Sequence, residues 1–108
     1  MKLRMFHKTF ESANIITASA GTNCPQGGDT GHGGRTVFRL TNEASTAMAI
    51  RVNGGKLIQD VDQVELLFGG DCEHETLIAA LEFALDVLRG KTGEAEAHTV
   101  EDHDFEYR

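Results

Sequence analysis

Read as a pattern of apolar and polar positions, the chain alternates through its first two-thirds and then turns helical. Residues 13–20, ANIITASA, combine β-branched and small side chains and stop at Gly21, as a strand does. Residues 2–10 alternate more weakly, with Leu3, Met5 and His7 on one side, and predict a short strand. Residues 35–41 and 46–53 both alternate with period two. They fit one hairpin, in which Thr36 faces Val52, Phe38 faces Ile50 and Leu40 faces Met48. That register puts the large apolar side chains on one face and sets Arg35, Arg39 and Arg51 together on the other. Asn53-Gly54-Gly55 predicts a turn. Residues 64–68, VELLF, are almost continuously apolar, which predicts a central strand.

Gly69-Gly70 breaks that strand, and Asp71 is placed to cap a helix over 72–89. Arg89 and Gly90 supply a basic last turn and a C-terminal glycine. Leu77, Leu81, Ala84, Leu85 and Leu88 form one stripe, flanked by Ile78 on one side and by Phe83 and Val87 on the other. Glu82, Asp86 and Arg89 make the polar stripe, so the apolar arc covers roughly two-thirds of the circumference. A helix lying on one sheet needs an arc of only about 100°. The surplus predicts burial against another subunit. The expected architecture is α+β: one domain over 1–108, an antiparallel sheet with one long helix in the C-terminal half packed on it, and a homo-oligomer. Residues 94–108 form an acidic C-terminal segment, in which alternating His103, Phe105 and Tyr107 suggest a docked edge strand.

Charge narrows the range of partners. The net charge of −7 argues against a general nucleic-acid binder. Six acids and one base fall in 94–108, leaving 11 acids, 9 bases and a net of −2 over 1–93, so a local basic patch remains open to the body. No apolar run reaches the length of a membrane span, and the first ten residues show no secretory pattern. Two cysteines, Cys24 and Cys72, make no disulfide framework and point to a reduced cytosol.

The candidate chemistry lies in residues 21–34, GTNCPQGGDTGHGG, which hold six of the twelve glycines and the only proline. Backbone this rich in glycine can reach φ > 0 or approach another group closely. Successive N–H groups can also curl into an anion-binding nest. Gly27, Gly28, Gly33 and Gly34 supply such backbone, Asp29, Thr30 and His32 supply polar handles, and Arg35 supplies charge. With Arg39 and Arg51 on the same face, the stretch reads as a pocket for a phosphate-bearing ligand. The plainer reading is a long connector between strands, with the arginines solvated or paired to acids such as Glu65.

Other chemistries fit less well. DTGHGGRT lacks the first glycine and the lysine of a nucleotide-triphosphate loop, and a strand follows it instead of a helix. Cys24, His32, Cys72 and His74 lack the spacing of a structural zinc site. Asp60 and Asp62 lack the glycine and distal glutamate of a calcium loop. Neither a resident metal nor a cofactor is expected. His32 oriented by Asp29 suggests a phosphoesterase as an alternative to simple binding. A small structural assembly protein, with the glycine loop at a subunit contact, is a third reading.

The GGDTGHGGRT loop after a β-rich start, followed by the late helix GDCEHETLIAALEFALDVL, resembles the phage Thoeris anti-defence "sponge" proteins. The resemblance implies a non-enzymatic protein in the host bacterial cytoplasm. It implies sequestration of a cyclic ADP-ribose-type signal or a cyclic oligonucleotide, counteracting anti-phage defence. It places Arg35 and its glycine loop on a pyrophosphate, with Phe68, Phe105 or Tyr107 stacking on the base. Arg108 is a further candidate for reaching the ligand.

Overall fold

The computed structural model describes residues 2–24 and 33–105. Four strands form one antiparallel sheet in chain order: β1 (Met5–Glu11), β2 (Ile15–Thr22), β3 (Arg35–Ala44) and β4 (Gln63–Gly69). Helix α1 (Asp71–Leu88) and a single 3-10 turn, Glu94–Glu96, follow. The expected α+β class with an antiparallel sheet and one helix in the C-terminal half therefore holds.

Alternation divides the sheet into two faces. One carries Phe6, Phe10, Ile16, Ala18, Ala20, Phe38, Leu40, Val64, Leu66 and Phe68, and α1 lies over its Thr22–Thr36 end. The opposite face carries Met5, Val37 and Leu67 toward one end and a ladder of polar cross-strand pairs toward the other. His7 Nδ1 lies 2.6 Å from Ser19 Oγ, and Thr9 Oγ1 lies 2.8 Å from Thr17 Oγ1. Thr17 in turn donates to Glu43 at 2.7 Å. These bonds satisfy Thr17 and Ser19, which are buried.

The hairpin expected between 35–41 and 46–53 is not formed. The faces of β3 are as expected, but its partner is β4: Thr36 pairs with Phe68, Phe38 with Leu66 and Leu40 with Val64. Asn53 and Gly54 adopt φ of 55° and 65°. Two consecutive left-handed residues make the tight turn that Asn-Gly favours. This turn folds 46–52 back on its own continuation, where Ile50 and Ile58 exchange backbone bonds of 2.9 and 2.8 Å. Val61 N–H likewise donates to the Met48 carbonyl. The local turn thus takes the backbone partners that β3 was expected to use.

Two further expectations need correction. VELLF is an edge strand, not a central one, and its apolar side chains stay open on both faces, with Leu66 45% and Leu67 71% exposed. The C-terminal segment forms no strand over 97–105; Tyr107 and Arg108 lie outside the described residues.

The helix starts one residue earlier than expected. Gly70 is the N-cap, Asp71 is the first helical residue, and no side chain caps the end. Asp71 and Glu73 still place negative charge in the first turn, where the helix dipole favours it. At the other end Arg89 is the C-cap. Gly90 takes φ 74°, Gly90 N–H bonds to Val87 O and Lys91 N–H to Asp86 O. That pair of bonds is a Schellman ending.

Candidate functional site

The stems of the glycine loop are clasped by polar bonds that extend the β2–β3 pairing. Arg35 N–H donates to Asn23 Oδ1 at 2.7 Å, and Asn23 N–H donates to the Arg35 carbonyl at 3.2 Å. The Thr22 hydroxyl donates to the same carbonyl at 3.0 Å and accepts from Cys24 N–H at 3.0 Å. Both ends of the loop are thereby fixed at the mouth of the sheet.

A second set of bonds ties this mouth to α1. Gly70 N–H donates to the Gly34 carbonyl at 2.7 Å, and Gly34 N–H donates to Asp71 Oδ1 at 2.9 Å. The Gly34 bond, then a bond from the Cys24 thiol, then the nearby His74 hold the Asp71 carboxyl below its ordinary range, against partial desolvation. Beside them, Thr36 Oγ1 lies 3.1 Å from His74 Nδ1 and 2.9 Å from Thr22 Oγ1. Glycine is required at position 34 because of this crowding. A Cβ there would collide with Cys24 Sγ and stand 3.0 Å from Asn23 Oδ1 and 3.1 Å from Asp71 Oδ1.

Arg35 leaves this junction on the face away from α1. Its Nη1 donates to the carbonyls of Gly34 at 2.9 Å and Gly33 at 3.3 Å. Its Cδ and Nε come within 3.6 Å of where a Cβ on Gly69 would be, so the absent side chain leaves the guanidinium room beside β4. From there it lines an open cleft of about 580 Å³ with Arg39, Glu65, Leu3, Met5, Val37 and Leu67. That volume suits a small organic ligand. The combination of guanidinium and apolar wall suits one with an anionic part and a flat or apolar part.

The structure brings together only part of the expected set. Gly33, Gly34, Arg35 and Arg39 converge at the loop exit and cleft. Arg39 is paired: its Nε and Nη2 both donate to Glu65 Oε2, at 2.8 and 2.6 Å. Arg51 does not join them. The Asn53-Gly54 turn carries it away from β3, where Nε donates to Gly55 O at 3.0 Å and the side chain lines a separate depression with Lys56 and His103. Gly27, Gly28, Asp29, Thr30 and His32 lie outside the described residues, as does Arg108. Of the aromatic candidates, Phe68 lies at the edge of the cleft but by alternation belongs to the α1 face, where it meets Cys72, Thr76 and Leu77 around a second depression; Phe105 is 81% exposed and does not line the cleft, and Tyr107 is not described. Among the described residues no three His, Cys, Asp or Glu side chains gather as a metal site.

Sequence reasoning missed the apolar wall and the latch to α1. Leu67 was legible as an unneeded apolar residue in a strand apolar on both faces. Nothing in the order of residues links Cys24 or Gly34 to Asp71, because that contact exists only once the sheet has closed.

No protein-family model, curated protein or solved structure matches the chain.

Proposed function

We propose that this protein binds a phosphorylated cyclic nucleotide, a cyclic ADP-ribose isomer or a cyclic oligonucleotide, and sequesters it unchanged. It does so as a homo-oligomer in the bacterial cytoplasm, counteracting anti-phage defence. The observation that carries the reading is the Arg35 guanidinium, positioned by the Gly33 and Gly34 carbonyls at one end of a cleft walled by Met5, Val37 and Leu67. Phosphate oxygens meet the planar fork of the guanidinium, and a base lies along the apolar wall. Arg39, half-exposed and paired to Glu65, is a second cation within the same cleft.

Calorimetric titration with cyclic ADP-ribose isomers and with cyclic di- and trinucleotides tests this. A charge-assisted hydrogen bond contributes about 1.5–3 kcal/mol. Arg35→Ala is therefore expected to weaken binding by about 10- to 150-fold. Arg35→Lys should recover only part, since a point charge does not reproduce the fork. The ligand recovered after heat release should be intact; a cleaved product would identify a phosphoesterase instead. Equal binding by wild type and Arg35→Ala overturns the role of Arg35, and no binding by wild type overturns the reading.

A further inference from the structure

The cleft has two ends of different character. Arg35, Val37 and Arg39 follow one another along one face of β3, opposite Gly69, Leu67 and Glu65 of β4. At the rise of an extended strand, Arg35 and Arg39 stand about 13 Å apart along that floor. Val37 and Leu67 fill the interval. The Arg39 end is not a second phosphate position, because Glu65 matches its charge at 2.6 Å. Nor is the pair closed on itself. Arg39 Nε and Nη2 both donate to one oxygen, Glu65 Oε2. Glu65 Oε1 and the remaining guanidinium N–H groups have no partner among the described residues. The two side chains are 27% and 34% exposed, and both line the cleft. An acceptor and a set of donors thus stand side by side, beyond an apolar floor, at the far end from Arg35.

We infer that the Arg39–Glu65 pair reads the edge of the ligand's base, and that this base carries an amino group beside a ring nitrogen, as adenine and cytosine do. The inference rests on the nucleotide reading of the cleft and deepens it by assigning the base end. With phosphate at Arg35, the flat base lies across Val37 and Leu67, and its edge arrives at the pair. Glu65 Oε1 accepts the amino N–H, and Arg39 donates to the neighbouring ring nitrogen. A carboxylate only accepts and a guanidinium only donates, so an edge with a donor beside an acceptor satisfies both. An edge made of acceptors alone sets a lone pair against Glu65 and is disfavoured. Glu65 therefore serves two ends: it cancels the charge that would draw a second phosphate, and it selects the base.

Calorimetric titration with adenosine monophosphate and with the monophosphate of purine riboside tests this. The two carry the same charge and differ only in the amino group. Wild type is expected to bind the adenosine compound about tenfold more tightly, the low end for a hydrogen bond to a charged group. Glu65→Ala should bring that ratio to about one. Glu65→Gln, whose amide oxygen still accepts, should restore part of it. Arg35→Ala should weaken both compounds alike. Releasing the Arg39 charge in Glu65→Ala strengthens both compounds equally, so the ratio reports the hydrogen bond and not the charge. A partly exposed ion pair adds little stability, so the Glu65 variants keep their fold, which circular dichroism verifies. Equal binding of the two compounds by wild type, or a preference that survives in Glu65→Ala, overturns base reading while the phosphate site at Arg35 stands. Wild type that binds neither compound also overturns the inference, and the cyclic nucleotide panel then decides separately whether the nucleotide reading holds.

Discussion

Asp71 shows how one side chain can serve a different end from the one its position suggests. At the start of a helix, after two glycines, an aspartate reads as an N-cap. Instead its carboxylate accepts the Gly34 N–H, fastening the exit of the glycine loop to α1, with the Cys24 thiol beside it bonded to the Gly70 carbonyl. Because these contacts lower its pKa in the folded state, the stability they contribute is present above the ordinary value of 3.8 and is lost as pH falls through the lowered folded value. The difference in melting temperature between wild type and Asp71→Asn should therefore be steady near neutrality and shrink as pH drops below about 4. A difference that stays constant down to pH 2 would show that the Asp71 charge contributes nothing to the latch. The neighbouring arginines mark how far residue-level reading reaches. That Arg35 and Arg39 share the face away from the core followed from alternation alone. That Glu65 neutralises Arg39 required knowing which strand pairs with β3, and an exposed pair of this kind adds only about 0–1 kcal/mol.

At the scale of elements, the sequence spoke most clearly where the signal was local. The β2 strand, both faces of β3, the Asn53-Gly54 turn and the glycine-ended helix were all legible within windows of a few residues. Strand pairing was not, because two segments of equal period compete for β3 and only the tight turn at 53–54 decides between them. VELLF misled for a related reason. A strand apolar on both faces usually lies deep in a sheet, yet here Leu67 faces the cleft and Leu66 faces the incompletely covered side. The acidic segment offered alternation without enough aliphatic surface to anchor it, and 97–105 run without strand bonds. Hydrogen exchange should separate these cases. Amides of β2 and β3, the two interior strands, should be protected, and those of 98–105 should exchange within seconds. Protection across 98–105 would mean that this segment docks after all.

At the scale of the whole molecule, the surplus apolar arc of α1, readable from its periodicity, recurs as exposed surface. The radius of gyration is 16.1 Å, against roughly 13 Å for a compact domain of this length. A helix of 18 residues that barely touches its own sheet is marginal on its own. The homo-oligomer proposed above would supply such contacts, and the cleft at Arg35 lies on the face of the sheet away from α1. Among the described residues no helix is long and apolar enough to cross a membrane. Native mass spectrometry of wild type and Arg35→Ala, each incubated with the panel of cyclic nucleotides, tests the account most directly, because it reports subunit number and ligand mass together. The account predicts a homo-oligomer of 11.8 kDa chains carrying the intact mass of one of these nucleotides, with the adduct lost or much reduced in Arg35→Ala. A bare 11.8 kDa monomer that takes up none of them would contradict it.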